Sequence, residues 1–319
     1  MPGKPLHNKW TSNGKLMISG EYLVLAGARA LAMPVSYRQT LHVAQRPSPE
    51  PALDWSTKIK GKLWLQARFS LRDLKPSGRS CESLHFVKQL LKAARELNPG
   101  FLNGQYHWEA VSDIGFDREW GLGSSSSLIS NIAWWANVDP YGLFFKVSGG
   151  SGYDIACARS SHPVLYHYQG AHTPPVVETA RFNPVFADQV VFVYSGRKQS
   201  SEKSLRTFDP SVVRIEDIRQ ISALSGKMAV TQSLPEFMEA MEQHERITAD
   251  YLHRTPLQAD FFPDFPGSVK SLGAWGGDFF MAAADRTQEE IIRYFHHKGY
   301  HTVIPFTEMR FRPDKTPDK

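Results

Sequence analysis

The run Trp120-Gly121-Leu122-Gly123-Ser124-Ser125-Ser126-Ser127 leads into the apolar stretch Leu128 to Trp135, and it constrains the fold of this 319-residue chain more than any other segment. Glycines at 121 and 123 let the backbone approach an anion with no Cβ in the way. The four serines offer hydroxyl and amide donors, and the segment behind them supplies a positive helix N-terminus. Gln105 to Val111 alternates as a strand does, so the pattern predicts strand, loop and helix framing a phosphate. An ordinary loop with a helix N-cap has the same composition. The run matches neither the GxxxxGK[ST] P-loop nor the GxGxxG dinucleotide fingerprint.

Three further segments bear on the choice. Ser12-Asn13-Gly14-Lys15-Leu16-Met17-Ile18-Ser19-Gly20-Glu21-Tyr22 stands near the N-terminus, and Lys270-Ser271-Leu272-Gly273-Ala274-Trp275-Gly276-Gly277-Asp278 near the C-terminus. With the serine loop between them, they resemble in order the three motifs of the GHMP kinases, the superfamily of galactokinase, homoserine kinase, mevalonate kinase and phosphomevalonate kinase. The fourth, Gly149-Gly150-Ser151-Gly152-Tyr153-Asp154-Ile155-Ala156, resembles the turn that carries the catalytic aspartate in the mevalonate and phosphomevalonate kinase branch. Its Gly-Tyr-Asp-Ile-Ala string is similar to that of a bacterial group of the superfamily.

Bulk properties agree with a globular enzyme: 41% of residues are hydrophobic and 22% charged. The 37 Lys and Arg against 32 Asp and Glu give a net charge of +5, which suits anionic ligands. These charges are dispersed, with no basic run interleaved by aromatics, so nucleic-acid binding is rejected as the primary role. Cys81 and Cys157 provide no disulfide framework and no CxxC pair, and Cys157 reads as a small core residue. No HExxH or Cys/His cluster suggests zinc, no signal pattern opens the chain, and no window approaches 18 uninterrupted apolar residues. A cytoplasmic protein without membrane contact is expected.

Strands are predicted at Lys15 to Ser19, Ala30 to Val43, His162 to Gln169, Val190 to Tyr194, Val269 to Leu272, Phe279 to Ala283 and Thr302 to Phe306. Arg46 to Pro51 reads as a surface loop and Trp55 to Leu71 as an exposed hairpin. Leu84, Val87, Leu90, Leu91 and Ala94 recur as one helical face within Ser80 to Leu97, which Asn98-Pro99-Gly100 stops. Helices are also predicted at Ser211 to Leu224, Pro235 to Tyr251 and Gln288 to Lys298. Segregated strands and helices point to an α+β fold. The resemblance implies a two-domain GHMP kinase fold with an N-terminal α/β domain over residues 1–170 and a ferredoxin-like C-terminal domain over 171–319, the active site lying between them.

Phosphoryl transfer needs donors and a cation at the β/γ-phosphates and an aligned acceptor oxygen with a route for any proton. The resemblance implies ATP and Mg2+ as cofactors, with Gly121, Leu122, Gly123, Ser124, Ser125, Ser126 and Ser127 cradling the phosphates and Ser125 or Ser126 reaching magnesium. It implies that Asp154 handles the acceptor proton and that Lys15 offsets charge beside it. Without the resemblance, Asp154 reads as a helix N-cap and Lys15 as a solvated strand charge. Glu21 either buttresses the Gly20 turn or borders the substrate pocket, with Tyr22. Ser151, Gly152, Arg197, Lys198, Gly276 and Gly277 complete the substrate-binding set, Arg197 and Lys198 suiting an anionic acceptor. An exposed loop around 195–201 and a tight strand-to-strand turn around 273–277 are the plain alternatives.

Two departures from the family pattern stand out. Trp275 interrupts the glycine run of the third motif. Tyr141 to Val147 holds no carboxylate where mevalonate kinases carry a magnesium-binding glutamate, and Asp139 lies too early to replace it. The function implied is an ATP-dependent small-molecule kinase acting on phosphomevalonate or mevalonate, and a homodimer is compatible with it. The alternatives are diphosphomevalonate decarboxylase, a sugar kinase, or a non-catalytic nucleotide-binding regulatory homologue.

Overall fold

The computed structural model describes residues 6–78, 81–197, 208–275 and 277–312. The chain forms two compact units, each assembled from separate stretches: Met1–Gly14, Tyr37–Arg118 and Gly123–Arg159 in the first, Lys15–Ser36, Glu119–Leu122 and Ser160–Lys319 in the second. Two long strands, β1 (Leu6–Ser19) and β2 (Arg29–Pro47), contribute to both.

In the first unit β2 pairs antiparallel with β5 (Tyr106–Ile114) from Gln39 to Pro47. β5 pairs parallel with β3 (Ala52–Ile59), and β3 antiparallel with β4 (Lys62–Ser70). Lys60 and Gly61, at φ 49° and 75°, turn β3 into β4, as a two-residue hairpin requires. Only half of the expected exposed hairpin is exposed. β3 lies between β4 and β5 with Leu53 and Trp55 buried, whereas outer β4 presents Leu63 and Trp64, the latter under the Arg118 guanidinium at 4.0 Å. The loop expected from Arg46 starts later, because β2 continues its pairing through Pro47.

Helix α1 (Glu82–Leu97) buries the stripe Leu84, Val87, Leu90, Leu91 and Ala94, the spacing of one helical face, and ends where Asn98 turns extended before Pro99. α2 (Ser124–Ala136), α3 (Pro140–Val147) and α4 (Tyr153–Arg159) follow. Leu41, Val43, Leu53 and Trp55 from the strands meet the α1 stripe and Ile129 and Ile132 of α2 in one core. Cys157 is buried, as its apolar neighbours suggested.

In the second unit β2 pairs antiparallel with β6 (Val164–His167) through Arg29–Ala32, and β6 with the exposed strand β7 (Val176–Thr179). A separate antiparallel sheet holds β8 (Val190–Tyr194), β9 (Gly267–Ser271), β10 (Phe279–Ala284) and β11 (Val303–Pro305) in the order β11-β8-β10-β9. Between these strands run α5 (Ile215–Val230), α6 (Leu234–Leu252), α7 (Leu257–Phe261) and α8 (Gln288–His297), and α9 (Phe306–Met309) closes the run. Strand, helices, two strands, helix and strand in that sheet order is the ferredoxin-like arrangement. β10 is buried along its whole length, flanked by β8 and β9, which explains its unbroken apolar sequence Phe-Phe-Met-Ala-Ala-Ala. The fold is the expected α+β architecture.

Candidate functional site

In the first unit the serine loop opens α2. Gly123 occupies the N-cap in the left-handed region at φ 87° and, having no side chain, supplies no capping oxygen to the leading amides of the helix. The serines divide by direction. Ser127 is fully buried and its Oγ donates to Gln39 Oε1 at 2.6 Å, while Ser126 Oγ donates to Gly123 O at 2.9 Å. Ser124 is half-buried and Ser125 exposed.

Behind Ser127 a chain of buried polar groups fixes α2 to the strands. Gln39 Nε2 donates to Ser112 Oγ at 2.8 Å, Asn131 Nδ2 to Gln39 O at 2.9 Å, and Ser12 Oγ to Asn131 Oδ1 at 2.9 Å. Fully satisfied networks of this kind hold a single arrangement. Helix α4 packs on α2, with Arg159 Nε donating to Ser130 Oγ at 3.1 Å and its guanidinium lying over the Trp134 ring. Asp154 stands in the first turn of α4, preceded by buried Ser151 and by Gly152 at φ 81°. Asp139 caps α3 by accepting from Gly142 N–H at 2.5 Å, a duty that occupies its carboxylate.

In the second unit, segments far apart in sequence meet by direct hydrogen bonds. The Lys15 N–H donates to Leu122 O at 2.9 Å. The carboxylate of Asp278 lies so close to the Gly121 backbone that a Cβ there would fall 2.2 Å from Oδ2. Gly121 is at φ 64°, so both conformation and space require glycine. The Asp278 N–H donates to Arg197 O at 2.7 Å, and Asp278 O accepts from Ser195 N–H at 2.8 Å. Trp120 packs on Phe279 and Tyr194 with ring centroids 5.8 and 6.4 Å away. Arg197 is exposed and Gly277 buried, while Lys198 and Gly276 lie outside the described residues.

Glu21 is buried in a charged cluster that sequence reasoning did not identify. Lys270 Nζ donates to Glu21 Oε1 at 2.6 Å and to Ser271 O at 2.8 Å, and His244 Nε2 lies 3.2 Å from Glu21 Oε2. The Gly20 N–H also donates to His244 Nε2, at 2.7 Å. Glu245 accepts from Ser271 N–H, Ser271 Oγ and Leu257 N–H. Burial pushes Glu21 up to about 7, with Lys270 opposing. Burial, then Lys270, holds His244 well below the usual histidine range. A lysine inside a strand of otherwise buried residues was the available signal.

The neighbouring turn is tied to this cluster. Tyr22 OH donates to Ala274 O at 2.9 Å. Trp275 is buried at φ 50°, its carbonyl accepts from Arg254 Nη1 at 3.1 Å, and its Nε1 has no hydrogen-bond partner among the described residues. No group of three or more His, Cys, Asp or Glu able to hold a metal occurs among the described residues.

No family model and no curated protein matches the chain. Solved structures do. The chain is similar to Streptococcus pneumoniae phosphomevalonate kinase in complex with phosphomevalonate and AMPPNP, at 15% identity over 93% of this chain and 99% of that one, with a TM-score of 0.69. Methanococcus jannaschii mevalonate kinase is similar at 14% identity over 97% and 99%, with a TM-score of 0.69. Lactococcus lactis galactokinase complexed with galactose is similar at 12% over 96% and 93%, with a TM-score of 0.63. The fold of this chain is that of the GHMP kinases.

Proposed function

On that fold, we propose that the chain is an ATP-dependent kinase that transfers the γ-phosphoryl group to an oxygen of phosphomevalonate or mevalonate. The observation that carries this reading is the meeting of Lys15 with Leu122, of Gly121 with Asp278, and of Asp278 with Ser195 and Arg197. An accidental set of glycine turns has no reason to assemble in this way.

Each residue has a definite task in the proposal. Backbone N–H groups from Gly121 to Ser126 bind the β/γ-phosphates with the α2 dipole behind them, whereas the Ser127 N–H is spent on Gly123 O at 3.0 Å. Bound with the nucleotide, magnesium would compensate phosphate charge, with Ser125 or Ser126 as the residue to hold it. Ser125 is exposed and Ser126 Oγ spends its hydrogen on Gly123 O, so either hydroxyl oxygen keeps lone pairs for the ion. The acceptor oxygen attacks the γ-phosphorus, ADP leaves, and Asp154 takes or orients the proton when the acceptor is a hydroxyl. Lys15 offsets charge on the transferring group. Exposed Arg197 suits an anionic acceptor, and the likeness to a phosphomevalonate kinase holding phosphomevalonate supports the same class. The likeness to a galactokinase holding galactose favours a sugar kinase as the second reading. Among the described residues no helix is long and apolar enough to cross a membrane.

The test is magnesium-dependent ADP release with mevalonate, phosphomevalonate, diphosphomevalonate and galactose in turn, with Asp154→Asn as the blank. Turnover with either of the first two supports the proposal. Carbon dioxide from the third identifies a decarboxylase, and turnover with galactose alone a sugar kinase. ATP binding without turnover on any acceptor identifies a regulatory homologue.

A further inference from the structure

The Glu21 cluster contains a contradiction that a single proton resolves. His244 Nε2 receives the Gly20 N–H at 2.7 Å, so that nitrogen presents a lone pair and the ring hydrogen sits on Nδ1, facing Thr248 Oγ1 at 3.4 Å. Glu21 Oε2 nevertheless lies 3.2 Å from the same Nε2 and has no hydrogen-bond partner among the described residues. An ionised carboxylate there would set two acceptors against each other in a fully buried site. A protonated imidazole would set its N–H against that of Gly20. Charge balance points the same way. Lys270 is the cation of the cluster, and Glu21 and Glu245 both lie in its field. Burial raises Glu245 as well, but Lys270 and three hydrogen-bond donors oppose that, and those donors make it the better anion.

We infer that Glu21 is a neutral acid in the folded protein, its Oε2 hydrogen directed at His244 Nε2, whose single lone pair then takes two donors, the nearer Gly20 N–H and the longer Glu21 O–H, and that this proton makes Glu21 the residue positioning the Gly20 turn against β9. The groups facing it are Lys270 from β9 and His244 and Glu245 from α6. The same turn carries Tyr22, whose hydroxyl reaches Ala274 O. The protonation stands on the geometry and charge balance of the cluster, whereas its effect on turnover rests on the kinase reading.

The sign of the pH dependence follows. On folding, burial raises Glu21 from its ordinary value of 4.5 up to about 7. Between these values the folded state binds about one more proton than the unfolded state, so stability falls as pH rises through this window and levels off above it. Full-length protein is unfolded in urea at pH 4.5 to 8, beside Glu21→Gln and Glu21→Ala, and the protonated-carboxyl C=O infrared band is recorded for each. The Gln amide donates to His244 Nε2 and its oxygen accepts from Lys270. It is therefore expected to fold where Ala does not, to lack this component of the slope, and to lack the infrared band that wild type shows. If the chain is a kinase, wild-type turnover declines through pH 7 and Glu21→Gln flattens that decline.

A folded Glu21→Gln with the wild-type slope overturns the inference. So does a Glu21→Gln that unfolds at neutral pH and is rescued by adding Lys270→Met, which identifies an ionised pair. If neither protein can be prepared folded, absence of the band in wild type overturns it. None of these readouts requires ATP turnover, so they stand whether or not the chain is a kinase.

Discussion

Ser127 Oγ donates to Gln39 Oε1 at 2.6 Å, so the last serine of the loop faces the strands and serves the helix rather than an anion in front of it. Gln39 also holds Ser112 through its amide and Asn131 through its carbonyl.

Replacing Gln39 by Leu removes the amide that donates to buried Ser112 on β5, while the Ser127 hydroxyl on α2 falls back on Gly123 O at 2.9 Å. The expected cost is about 1 to 2 kcal/mol, the usual penalty for one buried hydroxyl that loses its partner. A urea titration should show a lower midpoint with an unchanged slope. Binding of an ATP analogue should weaken more for Gln39→Leu than for a variant equally destabilised in the β8–β11 sheet.

Gly121→Ala places a methyl 2.2 Å from Asp278 Oδ2 at a residue with φ 64°. The carboxylate or the loop must move, and calorimetric titration with an ATP analogue should show at least about tenfold weaker binding, which is about 1.4 kcal/mol. Gly61→Ala is the control: it has a similar φ of 75° but open space around it, so it should lower stability by about 1 kcal/mol and leave nucleotide affinity alone.

Asp154→Asn keeps shape and removes the proposed proton acceptor. Turnover with the preferred acceptor should fall by about a hundredfold or more, the usual contribution of a positioned base, while affinity for ATP changes little. Equal turnover of variant and wild type would remove Asp154 from the mechanism.

Lys270→Met removes the cation that donates to Glu21 Oε1 and lies in the field of Glu245. An uncompensated buried carboxylate costs about 3 kcal/mol or more, visible as a lowered melting temperature at pH 7. The loss should shrink as the pH is lowered and Glu245 accepts a proton instead.

The elements that sequence pattern revealed are those whose burial follows one period. β8 has the predicted bounds because Val190 to Val193 are all buried, and α1 shows its stripe because one side packs on the sheet. β7 escaped notice because Val176–Thr179 is exposed throughout, leaving no alternation to read. α3 was missed although Asp139 caps it with Pro140 at its first turn, because its eight residues are too few to display a face. At the site, Gly121, Gly123 and Gly152 were legible because left-handed backbone favours glycine. The Glu21, His244 and Lys270 cluster was not. Its pairings span 223 to 249 positions and arise only when α6 and β9 are brought to the Gly20 turn.

The discontinuous make-up of the two units sets an order on synthesis. Every stretch of the first unit has been made once Arg159 leaves the ribosome, so its core can close while translation continues. Lys15–Ser36 must wait, since its pairing strand β6 and the side chains that enclose Glu21 come later. Until Lys270 emerges, the carboxyl group of Glu21 stays in water at its ordinary acidity, and it takes up its proton only when the last partner arrives.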